Sequence, residues 1–353
     1  MSVDQLSFID SQDETLRRYD PELVNLIFNL LEDATSISVV SEFLKEKNFH
    51  HSAGSWKDLK DKRIVPLLNA GDLSIADLKK LLASVEEFPA CHCYLYQCSR
   101  EASRALMLTE RIRGIAHTEG IPSVLESPLV LNMPDQPQIT DIRWDEETRG
   151  KCLVIKVIET CEKRGRSEEI IRDGYLIKKW PISQKRAVNV IRLFESGLLE
   201  FRIHSYREGD QICYSKMQRI WSGVLSPFLP RNDFNPKSIA TAKEQLWEHR
   251  DERSGEMRFQ ESTFVNNYGN TVQGSAARGD ISSDPSVEDC LDRFSQSGAR
   301  CDSSNLYWLE NEDGLPSKNI HTLLSGRLNE FAITSSCTKS DYEYVFDKIT
   351  SLA

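Results

Sequence analysis

Four residues able to hold a soft metal crowd into eight positions: Cys91, His92, Cys93 and Cys98, in the run CHCYLYQC. Zinc takes thiolates and imidazoles in a tetrahedron, so the residue types suit it, but the paired Cys-x-x-Cys knuckles of such sites are missing. The run reads as a strand. On a strand Cys91 and Cys93 share one face and His92 points away, which serves a single ion poorly. Buried structural cysteines are the better reading, and neither a metal nor a cofactor is expected. The other six cysteines, Cys152, Cys161, Cys213, Cys290, Cys301 and Cys337, are dispersed.

Metal-dependent hydrolysis needs clustered carboxylates and a cationic side chain on adjacent strands. Glu200-Phe201-Arg202 puts an acid and a base on one strand face, and Glu159 or Asp173 can approach from a neighbour. No second carboxylate is fixed by spacing, however, and a cross-strand pair of Arg192 with Glu200 accounts for the acid without chemistry. Nucleophilic catalysis has less support. No Ser or Cys sits in a Gly-flanked elbow, and the seven histidines have no partner at a telling spacing. A phosphate loop fails as well: Gly269 and Gly274 are correctly separated, but Ser275-Ala276 follows where Lys and then Ser or Thr are required. No catalytic residue is assigned.

Charge is the remaining signal. Residues 151–220 hold 15 Lys and Arg against 9 Asp and Glu, whereas the whole chain has 44 against 54 and a net charge of -10. The cations Lys178, Lys179, Lys185, Arg186, Arg192, Arg202 and Arg207 are interleaved with aromatics that include Tyr175, Trp180, Tyr206 and Tyr214. Lys and Arg contribute most of their affinity at phosphates, and aromatic rings stack on bases. The expected nucleic-acid-binding set is therefore Lys178, Lys179, Lys185, Arg186, Arg192, Arg202 and His204. Two competing explanations stand beside it: cations on a strand discourage edge pairing, and a cationic sheet can dock on its own acidic flanks.

The element carrying these residues is a β-hairpin. VNVIRLF and LLEFRIHS are joined by Glu195-Ser196-Gly197, a three-residue loop whose glycine takes the left-handed conformation. Pairing Phe194 with Leu198 sets Arg192 opposite Glu200, Leu193 opposite Leu199 and Ile191 opposite Phe201. One face is then apolar, and the other carries Arg192, Glu200, Arg202 and His204. This predicts an antiparallel sheet with one buried and one water-facing side. Strands over Cys152–Glu159 and Tyr175–Trp180 extend it, the second entered through the turn pair Asp173-Gly174.

Around that sheet the chain reads as α+β: a helical N-terminal bundle with one strand (1–120), a connector with four prolines (121–140), a basic antiparallel sheet domain (141–225) and an α+β C-terminal domain (226–353). In the bundle, Asp20-Pro21-Glu22 and the pair Ser74/Asp77 are helix starts. The last domain alternates: a hairpin over Met257–Val265 and Thr271–Ser275, a helix from Pro285, a strand Asn305–Leu309, a helix Ser317–Leu324, a strand Leu328–Thr334 and a helix Lys339–Ile349. At 353 residues the chain suits two or three domains. It has 39% hydrophobic and 28% charged residues, a polar start without the pattern of a secretory signal, and no apolar run near the roughly 18 to 20 residues that span a bilayer. Nine scattered cysteines suit reduced thiols, so a cytoplasmic protein without membrane contact is expected. The functional expectation is a non-catalytic subunit of an intracellular assembly, with protein partners, that touches DNA or RNA through the central sheet. The alternatives are a metal-dependent nuclease and a protein-interaction scaffold.

Overall fold

Cap chemistry sets the first helices. Asp20 accepts from the Glu22 amide ahead of α1 (Pro21–Ala34), and Ser36 precedes α2 (Ile37–Glu46). A third helical run starts on Ser55 as α3 (Trp56–Leu59), widens into one π turn over Lys60–Ile64 and resumes as α4 (Val65–Ala70). Pro66 has no amide to give and its ring crowds the carbonyl one turn back, which a wider turn relieves. Gly71 ends the run at φ +83°. Ser74 and Asp77 form the anticipated reciprocal capping box of α5 (Ile75–Glu86). In this computed structural model, residues 19–206, 210–277, 279–311, 314–324 and 327–353 are described; Arg207 lies outside them, as do the side chains of Arg164 and Asp210.

The chain divides into two units, Met1–Glu87 and Phe88–Ala353. The second is built on one antiparallel sheet of eleven strands. Its continuous path runs β10 (Thr271–Ser275), β9 (Met257–Val265), β11 (Arg300–Trp308), β12 (Ile320–Leu324), β13 (Glu330–Ile333), β1 (Cys91–Gln97), β7 (Leu198–His204), β6 (Ile182–Phe194), β3 (Gly150–Arg164) and β2 (Gln138–Glu147). The short β8 (Asn235–Pro236) pairs with β1 off this path. Because β1 joins β7 on one side and β13 on the other, the expected sheet domain and C-terminal domain share one sheet and are not separate bodies.

Alternate residues of the central strands feed two cores. Cys91, Cys93 and Leu95 of β1, with Val188 and Val190 of β6, pack beneath α9 (Ala240–Glu248), α10 (Pro285–Gln296) and α11 (Lys339–Ser351). Tyr94 and Tyr96 of β1, with Ile191, Leu193, Leu199, Phe201 and Ile203, pack beneath α6 (Arg100–Leu106), α7 (Thr109–Thr118) and α8 (Asp210–Ile220). The sheet is thus buried on both faces. The anticipated water-facing side does not exist at β6 and β7.

The hairpin register is as the sequence predicts, with Arg192 opposite Glu200, Leu193 opposite Leu199 and Ile191 opposite Phe201. Gly197 has φ +93°, and a Cβ there would run into the Cys98 carbonyl, so the turn needs glycine twice over. Two assignments of single elements fail as well. Residues Ile320–Leu324 form a strand where a helix was predicted, and α8 occupies a stretch read as part of the sheet segment. Beyond the sheet, β4 (Glu168–Arg172) and β5 (Tyr175–Lys179) make a separate two-stranded ribbon. Among the described residues no single helix is long and apolar enough to cross a membrane.

Candidate nucleic-acid interface

The seven expected contact residues divide into three environments. Arg192 and Arg202 are 2% and 3% exposed, on the sheet face covered by α11. Between them stands the fully buried Glu200: Arg192 Nε donates to Oε2 at 2.5 Å, Arg202 Nε lies 3.2 Å from Oε1, and the Tyr342 hydroxyl donates to Oε1. Arg192 also donates from Nη1 to Glu343 at 2.5 Å. Its guanidinium stacks on Phe194 and Phe346, and that of Arg202 on Phe88 and Tyr342 at 4.7 and 4.3 Å. Burial pushes the Glu200 carboxyl up, but the two guanidiniums outweigh it and hold the group below the usual carboxylate range. These arginines are spent inside the protein and cannot meet a phosphate.

His204 is half-buried, stacked on Tyr206 at 4.3 Å, with its Nδ1 3.4 Å from the Val188 amide. Burial, then the charges of Lys216 and Arg186, pull it down to about 4, so it is neutral near pH 7 and attracts no anion. Arg186 is half-buried; its Nε donates to the Leu131 carbonyl at 2.7 Å and its own carbonyl accepts from Tyr206. Lys185 is half-exposed at the neck of the ribbon.

Lys178 and Lys179 differ from the rest, since every residue of β4 and β5 is exposed. The turn between the strands has Asp173 at φ 54° and Gly174 at φ 78°, the two left-handed residues of a tight hairpin. At the neck Gly165 donates to the Pro181 carbonyl at 2.8 Å, and a Cβ on Gly165 would stand 2.7 Å from the proline ring. Cross-strand pairs set Arg172 opposite Tyr175, Ile170 opposite Ile177 and Glu168 opposite Lys179 on one face. The other face has Ile171 opposite Leu176 and Lys178 opposite Glu169, the latter pair joined at 2.8 Å. Residues 162–186 contain eight Lys and Arg against four Asp and Glu, with Tyr175 74% and Trp180 47% exposed among them.

Of the carboxylates proposed for a metal-dependent nuclease, Asp173 lies apart on the exposed turn of the ribbon, and Glu200 and Glu159 are occupied. Glu200 is clamped as above, and the buried Glu159 accepts from Asn189 at 3.1 Å and from Arg219. Among the described residues no group of three or more His, Cys, Asp and Glu side chains is placed to hold a metal ion. Cys91 and Cys93 face one core with their sulfurs 3.7 Å apart, and His92 faces the other.

One grouping has no trace in the spacing of the sequence. His92 of β1, Glu330 of β13 and Cys213 of α8 meet on the second face of the sheet, with His92 Nδ1 2.6 Å from Glu330 Oε1. Burial pulls the imidazole down, but hydrogen bonds and charge from Cys213 and Glu330 overcome it and raise His92 to about 10. No protein-family model matches this chain, and no curated protein is significantly similar to it.

Proposed function

We propose that this protein is a subunit of a larger assembly that contacts nucleic acid through the β4–β5 ribbon. The observation that supports the reading is the ribbon's exposed face, on which Arg172 stands opposite Tyr175 and Lys179 lies two pairs further along, opposite Glu168. Arg172 beside the Tyr175 ring joins phosphate contact to base stacking, Lys179 adds a second cation further along, and a two-stranded ribbon is narrow enough to enter a groove. The chain as a whole has a net charge of -10 and repels a polyanion, so binding is local and falls steeply with salt.

Fluorescence anisotropy with labelled single- and double-stranded oligonucleotides, over a salt series, tests this. The double variant R172E/K179E is expected to weaken binding at least tenfold and to lower the salt slope by about two, one for each phosphate that is no longer neutralised. Equal affinity in a folded double variant, or a wild type that binds neither oligonucleotide, removes the reading. A protein partner is the second reading, favoured by Ile171 and Leu176, which are 79% and 60% exposed side by side on the opposite ribbon face.

A further inference from the structure

Of the fifteen large hydrophobic residues left exposed among the described residues, seven fall between Ile170 and Ile182, on the β4–β5 ribbon or at its neck. A two-stranded ribbon alone in water is only marginally stable and gains order when a further layer packs on it. Charge separates its two faces. The face with Arg172 and Lys179 has two cations against the one carboxylate of Glu168, so two copies of that face repel each other. The other face is neutral: Glu169 stands opposite Lys178, joined at 2.8 Å, and the next pair toward the turn is Ile171 and Leu176. Asp173, in the turn itself, has the Arg172 guanidinium 3.6 Å away.

A face without net charge exerts no pull on nucleic acid or on an anionic lipid surface, both of which are held by unpaired cations. It does match itself. When two such faces pack about a two-fold axis running along the ribbons, β4 of one copy lies over β5 of the other. Ile171 then meets Leu176 of the second copy and Glu169 meets Lys178 of the second copy, and symmetry repeats both contacts. Apolar groups face apolar groups near the tip, and opposite charges face each other one level nearer the neck. The arm is exposed from the pair Glu162 and Gln184 outward, about ten residues or roughly 33 Å at the rise of a strand, so the tips can meet while the helix layers stand apart.

We propose that the face formed by Glu169, Ile171, Leu176 and Lys178 is a two-fold contact between two copies of this chain. Each strand of the ribbon has five residues, a length of about 17 Å, so the contact buries less than the roughly 1,200 Å² of stable complexes and is weak and reversible. Arg172, Tyr175 and Lys179 stay on the outer side of the pair, so self-association and nucleic-acid contact use different sides of the ribbon.

Sedimentation equilibrium of the full chain, from about 10 to 300 µM, tests this at the concentrations where a contact of this size is populated. The wild type is expected to pass from monomer toward dimer over that range. Glu169→Lys and Lys178→Glu each set like charges face to face and are expected to weaken association at least tenfold. An equimolar mixture of those two variants is expected to associate again, because the reversed face of one is complementary to the reversed face of the other. Ile171→Ser removes the apolar contact and is expected to weaken association about tenfold. All three positions are exposed, so the fold is kept, which circular dichroism checks. A wild type that stays monomeric throughout overturns the proposal, as does association that the three substitutions leave unchanged. A mixture of the two charge variants that remains monomeric overturns the two-fold pairing.

Discussion

Arg192 shows what a charge costs inside a sheet covered on both faces. Its guanidinium is almost wholly removed from water and pairs with two carboxylates, yet its Nη2 is buried without a hydrogen-bond partner. Such a pair contributes little net stability, but removing one member strands the other charge in a medium that cannot solvate it. Arg192→Ala is therefore expected to lower the unfolding free energy by about 3–5 kcal/mol in a urea titration, more than a surface arginine would. A loss under about 1 kcal/mol would mean that Glu200 finds other compensation. The sequence made this residue legible in position and illegible in role. Its alternation with Ile191 and Leu193 is what a half-buried strand shows, and the register followed correctly. The same alternation appears when a second layer of helices covers the polar side and brings carboxylates such as Glu343 to it, and only the fold supplies those partners. The grouping of His92, Cys213 and Glu330 was illegible for a related reason, because residues more than a hundred positions apart carry no common spacing. The one local hint was a cysteine soon after Gly209-Asp210, where a helix can start.

At the scale of elements, local chemistry was readable wherever it was self-contained. The Ser74/Asp77 capping box, the Asp20 cap and both glycine-dependent turns, at Gly197 and at Asp173-Gly174, are decided by a few neighbouring residues. The strand Ile320–Leu324 was not. Ile320, Leu323 and Leu324 have the spacing of a helix stripe, but the sheet buries Ile320, Thr322 and Leu324, with a threonine in the place of an apolar residue. The ribbon was recognised as strand and turn but not as a body outside the sheet. With all ten strand residues exposed, it buries little apolar surface beyond the pair Ile170 and Ile177, each under two-fifths exposed, and contributes little to stability. Replacing residues 166–180 by a short Gly-containing turn from Gly165 to Pro181 is expected to leave the thermal midpoint within about 2 °C while abolishing oligonucleotide binding. A midpoint lowered by more than about 5 °C would show that the ribbon is structural.

For the molecule as a whole, the two cores of the Phe88–Ala353 unit are the sides of one sheet, and β1, β3 and β6 feed both. Damage to either side must therefore be felt on the other. Trp221→Ala beneath one face and Phe346→Ala beneath the other each remove a fully buried ring and are expected to cost about 3–5 kcal/mol. Hydrogen exchange should speed up at both β2 and β10, the two ends of the sheet, in each variant. Exchange that changes at only one end would divide the unit into independently folding parts.

The enclosed Arg192–Glu200–Arg202–Glu343 lattice also constrains descent. A lineage that loses an arginine there retains a stranded carboxylate until a second change removes it, so single steps are penalised and paired ones tolerated. Relatives should accordingly keep all four ionic residues or replace them together with apolar ones, and chains with half the set should be scarce.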